Sequence, residues 1–271
     1  MSEESVEARN GTAEFAPREP DLRRFTPARV SLGQAGPAIP TREQLRFQLD
    51  HALARDAVHA RLDVAAMIRE LRRRGVDCIA LRSAVQAGND RSAYLRRPDL
   101  GRRLDARSAE ELRVRAAKSA SEPDVVVVIP EVVFVIVDGL SALAVERHAL
   151  ALLDEMRAGM RAENAAPACV VSDGRVAIGD EIGFLLQAKL AVVLIGERPG
   201  LSSPDSLGVY ITWEPKPGRT DAERNCVSNI RAEGLGYKDA ARRVLYYMNE
   251  ARQLGTTGVM LKERSGVAEL R

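Results

Sequence analysis

The chain has 271 residues, of which 45% are hydrophobic and 29% are charged, and its formal net charge is only +2. This length allows one large domain or two small ones, and the near balance of charge argues against nucleic-acid binding over a whole surface. No apolar run is long enough to span a membrane, and the N-terminus lacks the apolar core of a signal peptide, so we expect a cytoplasmic protein without membrane contact.

The N-terminal part of the chain is predicted to be a disordered arm followed by a mostly helical region. Residues 1–25 are polar and lack hydrophobic periodicity, and residues 26–122 form the helical region. Apolar residues at helical spacing predict a helix capped by Thr41 and a second helix over Ala65–Arg74, before the short strand "VDCIAL". Ser108 is predicted to cap a further helix.

A local basic patch lies within this region. Between Arg91 and Arg115 there are eight arginines against four acidic residues. A solvated helix face explains such a patch, and so does a contact with an anion or a partner. Both interpretations stay open at the level of the sequence.

From Pro123 onward strands alternate with helices, and residues 123–271 are predicted to form an α/β domain. Dense apolar runs predict strands at 132–137, 168–172, 190–196 and 208–213. Helices are predicted after Ser141, after Asp180 and over Lys238–Leu254. The alternation predicts a mainly parallel, Rossmann-like sheet with flanking helices.

Polar loops that contain glycine follow the first three strands of this domain. They are Asp138–Ser141, Asp173–Arg175 and Gly196–Gly200. Because ligands of parallel sheets bind beyond the carboxyl ends of the strands, we expect these loops to form one binding rim. The turn-rich segment Glu214–Asn229 is predicted to be a long irregular loop that folds over the ligand, with an ordinary surface loop as the alternative.

Motifs of common catalytic and cofactor sites are missing from the sequence. "GERPGLSS" lacks the lysine and the spacing of a Walker A loop, and "VDGLSALA" has one glycine where a dinucleotide fingerprint needs three. G-x-S-x-G is absent as well. No metal-binding or disulfide spacing relates the histidines and cysteines, which are His51, His59, His148, Cys78, Cys169 and Cys226. The rim therefore favours a large ligand held by polar groups, with no catalytic residue in this chain.

Four strings stand out in order along the second half of the chain: "VDGLSALAVERHA", "GRVAIGDEIG", "LIGERPGLSSPDSLGVYITW" and "GRTDAERNCVSNIR". Together with the upstream "YLRRPDLGRRL", they resemble the small subunit (light chain) family of ethanolamine ammonia-lyase, over most of residues 30–262. The resemblance implies an adenosylcobalamin-dependent lyase that converts ethanolamine to acetaldehyde and ammonia. It also implies a large TIM-barrel subunit that carries the radical chemistry, a higher hetero-oligomer of large–small pairs, and a location in the cytoplasm or in a bacterial microcompartment.

The resemblance further implies three cobalamin contacts, at Val176 of "GRV", Glu197 of "GERPG" and Cys226 of "NCVSNI". Val176 would pack on the corrin ring or the nucleotide, and Glu197 would accept hydrogen bonds from corrin amides. Cys226 would lie in the covering loop. The alternatives are an ion pair of Glu197 with Arg198 or another arginine, and a buried apolar role for Cys226. No D-x-H-x-x-G pattern occurs, so the cofactor's own base is expected to stay on cobalt.

One departure from the family's pattern concerns the first strand. "PDVVVVI" is nearly repeated by the following "PEVVFVIV". Pro130 has no amide donor and interrupts a continuous strand. Val125–Ile129 is therefore predicted to be either an extra edge strand or a mobile apolar segment.

Two other classes of function stay open. The first is a self-sufficient Rossmann-like enzyme or module that binds a nucleotide such as NAD or ATP. The second is a structural scaffold, for instance of a bacterial compartment, which would bind its partner equally well with and without cobalamin.

Overall fold

The computed structural model describes residues 22–26, 28–85, 91–121, 130–160 and 165–263. The chain divides into two compact units, Met1–Arg46 and Phe47–Arg271. Three predictions fall wholly or partly on other residues: the disordered arm 1–25, the domain boundary between 122 and 123, and the segment Val125–Ile129.

Helices and strands alternate through most of the described chain. The helices are α1 (Thr41–His59), α2 (Val64–Arg73), α3 (Arg91–Arg96), α4 (Ala106–Ser121), α5 (Ala142–Ala144), α6 (Leu150–Gly159), α7 (Ile178–Leu185) and α8 (Tyr237–Leu254), with a π-helical turn at Val145–Ala149 between α5 and α6. The strands are β1 (Cys78–Arg82), β2 (Val132–Val137), β3 (Ala168–Ser172), β4 (Leu190–Gly196), β5 (Leu207–Trp213) and β6 (Arg224–Ile230). None of the helices in the described ranges has both the length and the apolar character needed to span a bilayer.

Side-chain caps stand before some helices, such as Asp63 before α2, but not always at the predicted residues. Thr41, predicted to be a cap, is instead the first residue of α1. The hydroxyl of Ser141 accepts a hydrogen bond from the Ala144 N–H (3.2 Å) and caps α5, as predicted. Helix α4 begins ahead of the predicted cap, Ser108. The carboxylate of Asp105 accepts the N–H of Ser108 (2.7 Å), so the prediction of a Ser108 cap is wrong.

Among the described residues, six strands form one sheet in the order β1-β3-β2-β4-β5-β6. The first four strands in this order are parallel to one another, as the prediction of a mainly parallel sheet requires. Strand β5 is antiparallel to both of its neighbours, β4 and β6. Strand β6 occupies the end of Glu214–Asn229, so the prediction of one long irregular loop there is wrong. Strand β1, from the region predicted to be mostly helical, also joins this sheet.

Both faces of the central strands are buried. Alternate residues of β4, such as Val192 and Val193, belong to two different apolar clusters. Helices α2, α6 and α8 contribute to the first cluster, and α4 and α7 contribute to the second. Each fully buried Val, Leu or Ile side chain contributes roughly 1.5–3 kcal/mol to the free energy of folding, so this double burial fixes the positions of the strand ends.

The second face is less covered at the antiparallel edge of the sheet. Tyr210 of β5 packs beside the second cluster and is only half-buried. Its cross-strand neighbour, Cys226 of β6, is exposed. Because directly opposite residues of antiparallel strands point to the same face, both side chains lie on this open part of the sheet.

Candidate functional site

A cavity of about 740 Å³ lies at the carboxyl ends of β2, β3 and β4. This is a topological switch point of the sheet, because the strands that follow β2 along the chain lie on opposite sides of it, β3 on one side and β4 on the other. The cavity lining includes residues from all three predicted loops: Gly139 and Leu140, then Arg175, then Gly196–Arg198. The prediction that these loops share one rim is therefore confirmed.

The loops after β2 and β4 are in direct backbone contact at this cavity. The N–H of Leu140 donates to the carbonyl oxygen of Gly196 (2.9 Å). A Cβ atom at Gly139 would lie 2.3 Å from that oxygen, and one at Gly196 would lie 2.0 Å from the carbonyl oxygen of Ser141. Both positions therefore require glycine, which allows the two loops to meet.

A buried arginine from α3 joins the loops after β2 and β3. Nη1 of Arg91 donates to the carboxylates of Asp138 (2.7 Å) and Asp173 (2.9 Å), and Nη2 donates to the carbonyl of Gly139 (2.6 Å). Only 3% of the Arg91 side chain and 2% of the Asp138 side chain are exposed. Burial is the largest single influence on Arg91 and opposes its charge, but the attractions and hydrogen bonds of Asp138, Tyr94 and Asp173 together outweigh it, so the pKa of Arg91 is raised.

Tyr94, also from α3, packs at the centre of this network. Its hydroxyl lies 2.8 Å from the carbonyl oxygen of Gly139 and 2.7 Å from that of Gly174, and its side chain is completely buried. The guanidinium carbons of Arg91 and Arg175 each lie 4.3 Å from the centre of its ring. No sequence motif predicted the roles of Arg91 and Tyr94, although Tyr94 opens the string "YLRRPDLGRRL" and Arg91 opens the basic patch.

The basic patch has no single role in the folded chain. Arg91 is buried in the network, and Arg97 forms an exposed ion pair with Asp99. Arg102 lines the cavity. A solvated helix face therefore explains only some members of the patch.

Two of the three predicted cobalamin contacts, Val176 and Glu197, line the cavity. Val176 is half-buried and packs against the second apolar cluster. Oε2 of Glu197 accepts hydrogen bonds from the hydroxyl of Ser206 and from the N–H of Asn229 (3.3 Å). None of the described residues forms an ion pair with Glu197, so the alternative of an Arg198 pair is absent from the described part of the chain.

Cys226, the third predicted contact, lies in strand β6 and not in a covering loop. It is paired with Tyr210, which does line the cavity. Shielding from water by its neighbours raises the pKa of the Cys226 thiol, although its contact with the Tyr210 hydroxyl acts in the opposite direction. Cys226 is exposed, so the alternative of a buried apolar residue is wrong.

The charged lining of the cavity is dominated by arginine. Five arginines contribute to it, which are Arg102, Arg175, Arg198, Arg219 and Arg224, together with the carboxylates of Glu197 and Asp221. Nη1 of Arg224 donates to the buried carboxylate of Asp180 (2.6 Å). Burial lowers the pKa of Arg175, whose Nε is buried without a hydrogen-bond partner in the described residues.

The histidines lie outside this cavity lining. His51 and His59 are exposed on α1. Nδ1 of His148 lies 2.8 Å from the hydroxyl of Tyr237, and the residue is buried. Across the ranges that the structure covers, no group of three or more His, Cys, Asp and Glu residues could hold a metal ion.

Comparisons with known proteins agree on one family. Residues 18–262 match the family model described as "Ethanolamine ammonia-lyase light chain (EutC)". Relatives named "Ethanolamine ammonia-lyase small subunit" include one from Pseudomonas aeruginosa, 52% identical over 251 residues that cover 92% of this chain and 88% of the relative. Another, from Azotobacter vinelandii, is 53% identical, with coverage of 92% and 89%. A third, from Ralstonia nicotianae, is 52% identical over 248 residues, with coverage of 91% and 88%.

Proposed function

The chain belongs to the ethanolamine ammonia-lyase light chain family, and from this premise we propose that it binds adenosylcobalamin at an interface with a large subunit. The complex converts ethanolamine to acetaldehyde and ammonia. The name small subunit, carried by the relatives, implies the large partner. The observation that carries the proposal is the convergence of the three strand-end loops on one cavity.

The cavity suits one portion of a corrinoid. Its lining combines apolar side chains, including Leu95, Leu140 and Val176, with a few charged groups, which is the usual character of a cofactor site. At about 740 Å³ it is smaller than a whole cobalamin. The large subunit would therefore cover the remainder of the cofactor.

The role of this chain is to bind and orient the cofactor. Val176 packs against it, and Glu197 accepts hydrogen bonds from its neutral amide groups. Ser206 and Asn229 hold one oxygen of Glu197, which fixes the carboxylate and lowers the entropy lost on binding. Cys226 lies at the margin of the same surface.

Chemistry is assigned to the cofactor and to the large subunit. When bound, adenosylcobalamin supplies radical chemistry by homolysis of its cobalt–carbon bond. A TIM-barrel large subunit would hold the substrate, and this chain contributes no catalytic group. We further propose that large–small pairs assemble into a higher hetero-oligomer in the cytoplasm, either free or within a bacterial microcompartment.

Co-expression with the large subunit tests the proposal. The purified complex should show a corrinoid absorption spectrum on addition of adenosylcobalamin, and deamination of ethanolamine should require both subunits and the cofactor. Glu197→Ala should weaken cofactor binding by about two- to tenfold, as expected for one hydrogen-bonding group, with little change in substrate affinity. Glu233→Ala, on the exposed turn after β6, is a matched control. Full activity of either subunit alone would refute the division of roles.

Two titrations separate the alternative functions. The cavity arginines would also accept nucleotide phosphates, so calorimetry with NAD and ATP tests for a self-sufficient nucleotide-binding enzyme. Tight binding of either nucleotide without any corrinoid binding would favour that alternative. A scaffold would bind the large subunit equally well with and without cobalamin.

A further inference from the structure

Three of the cavity arginines have no carboxylate partner among the described residues. Arg219 pairs with Glu223 (2.6 Å) and Arg224 pairs with Asp180 (2.6 Å). No such pair forms for the other three, which we call the arginine cluster: Arg102, Arg175 and Arg198. The cavity wall therefore carries an excess of positive charge.

Arg175 is held in place without being neutralised. Its backbone N–H donates to the carbonyl of Gly101 (2.7 Å), and its guanidinium stacks on the ring of Tyr94. The other guanidinium beside that ring, Arg91, is already paired with two carboxylates. Nε of Arg175 is buried with no acceptor in the described residues. A buried donor without an acceptor is costly. The half-buried Arg175 side chain also lines the cavity, so an anion bound against its guanidinium there would offset part of this cost.

Charges around Arg175 lead to the same conclusion. Burial lowers the pKa of Arg175, and the positive charges of Arg91 and Arg198 act in the same direction. Tyr94 and the Asp138 carboxylate act in the opposite direction but do not outweigh these effects. Since arginine stays protonated in proteins, the cluster remains cationic. An anion bound there would offset both the burial and the repulsion between like charges.

The proposed cofactor carries one group that fits this description. Its corrin side chains are neutral amides, whereas the nucleotide loop contains a phosphodiester, its only anionic group. Arginine forms paired, planar hydrogen bonds with phosphate oxygens. We propose that Arg102, Arg175 and Arg198 form an anion subsite for the phosphodiester of the nucleotide loop. This assignment rests on the proposed binding of cobalamin.

Two corrinoids that differ only in a phosphate test the subsite directly. The complex with the large subunit is titrated with adenosylcobinamide and with adenosylcobinamide phosphate, and dissociation constants are read from the visible spectrum. The complex with the unaltered chain should bind adenosylcobinamide phosphate at least about tenfold more tightly than adenosylcobinamide, which is the gain expected from hydrogen bonds to a charged group. Arg175→Gln should remove most of this difference and leave the affinity for adenosylcobinamide unchanged.

Matched variants separate charge, geometry and folding. Arg175→Lys keeps the charge without the planar fork and should retain part of the phosphate preference. Arg198→Gln and Arg102→Gln should each reduce it, whereas Arg103→Gln, an exposed neighbour outside the cavity lining, should leave it unchanged. Thermal unfolding and assembly with the large subunit report on folding of every variant.

Several results would overturn the assignment. Equal binding of both corrinoids by unaltered complex would refute the anion subsite alone, and the proposed function would stand. The same would follow if Arg175→Gln weakened both ligands equally, as expected for an arginine that pairs with an acidic side chain of the large subunit. Failure of unaltered complex to bind any corrinoid would refute the proposed function itself.

Discussion

Replacing Arg91 with methionine tests whether the buried network holds the cavity loops together. Methionine is uncharged and removes every hydrogen bond from Arg91 to the carboxylates of Asp138 and Asp173. Asp138 is 1% exposed and would retain the Gly174 N–H, at 3.2 Å, as its donor. Removing one partner of a buried ion pair costs about 3–5 kcal/mol, a large part of the ~5–15 kcal/mol that keeps a domain folded.

Urea denaturation at neutral pH measures this cost. Arg91→Met should lower the free energy of unfolding by about 3 kcal/mol or more, whereas Arg97→Met, in an exposed pair with Asp99, should cost about 0–1 kcal/mol. The double variant Arg91→Met, Asp138→Asn should recover part of the loss, because it removes the unpaired buried charge. A loss below about 1 kcal/mol, or no recovery in the double variant, would refute the reasoning.

Lowering the pH should reduce the difference in the free energy of unfolding between Arg91→Met and the unaltered chain. Burial raises the pKa of Asp138 above its ordinary value, and Arg91 opposes this shift. Without Arg91 the carboxylate binds a proton more readily in the folded state than in the unfolded state. The penalty is therefore present above the folded-state pKa and is lost as pH falls toward the unfolded value of about 3.9. A gap that stays constant with pH would contradict this account.

Two further predictions concern the cavity margin. Gly196→Ala should lower the free energy of unfolding by about 1–3 kcal/mol or more because its Cβ would meet the Ser141 carbonyl, whereas Gly236→Ala, with open space around it, should cost far less in the same urea assay. Iodoacetamide should modify Cys226 before the buried Cys78 and Cys169. Because its pKa is raised, the rate should continue to rise with pH above about 8.5. Adenosylcobalamin and the large subunit should slow the modification, and equal rates with and without them would contradict a cofactor contact at β6.

The central strands could be predicted because their signal is local. Dense apolar runs such as Val132–Val137 bury both faces, and the structure has this strand at the predicted residues. Strand β6 was missed because two of its buried residues are polar. Arg224 and Asn225 are satisfied by distant groups, among them Asp180 and the carbonyl of Leu261. No local pattern contains those partners, so a buried polar strand has the composition of a loop.

The antiparallel direction of β5 could also be predicted from the sequence. No helix separates β4 from β5, and a parallel pair needs a long crossover connection, usually helical. The short segment between them therefore favours an antiparallel pair, which the structure contains. The predicted alternation of strands and helices does not include this antiparallel pair, but it does locate the strand-end loops correctly.

A count of charges along the sequence could not separate the arginines that stabilise the fold from those open to a ligand. Arg91 and Arg175 stack on one Tyr94 ring at the same distance, 4.3 Å. Arg91 meets the carboxylates of Asp138 and Asp173, which follow β2 and β3, whereas none of the described carboxylates pairs with Arg175. The difference arises only when the strands align their ends. Loss of Arg91 should therefore destabilise the fold, while loss of Arg175 should weaken phosphate binding and leave the free energy of unfolding largely unchanged.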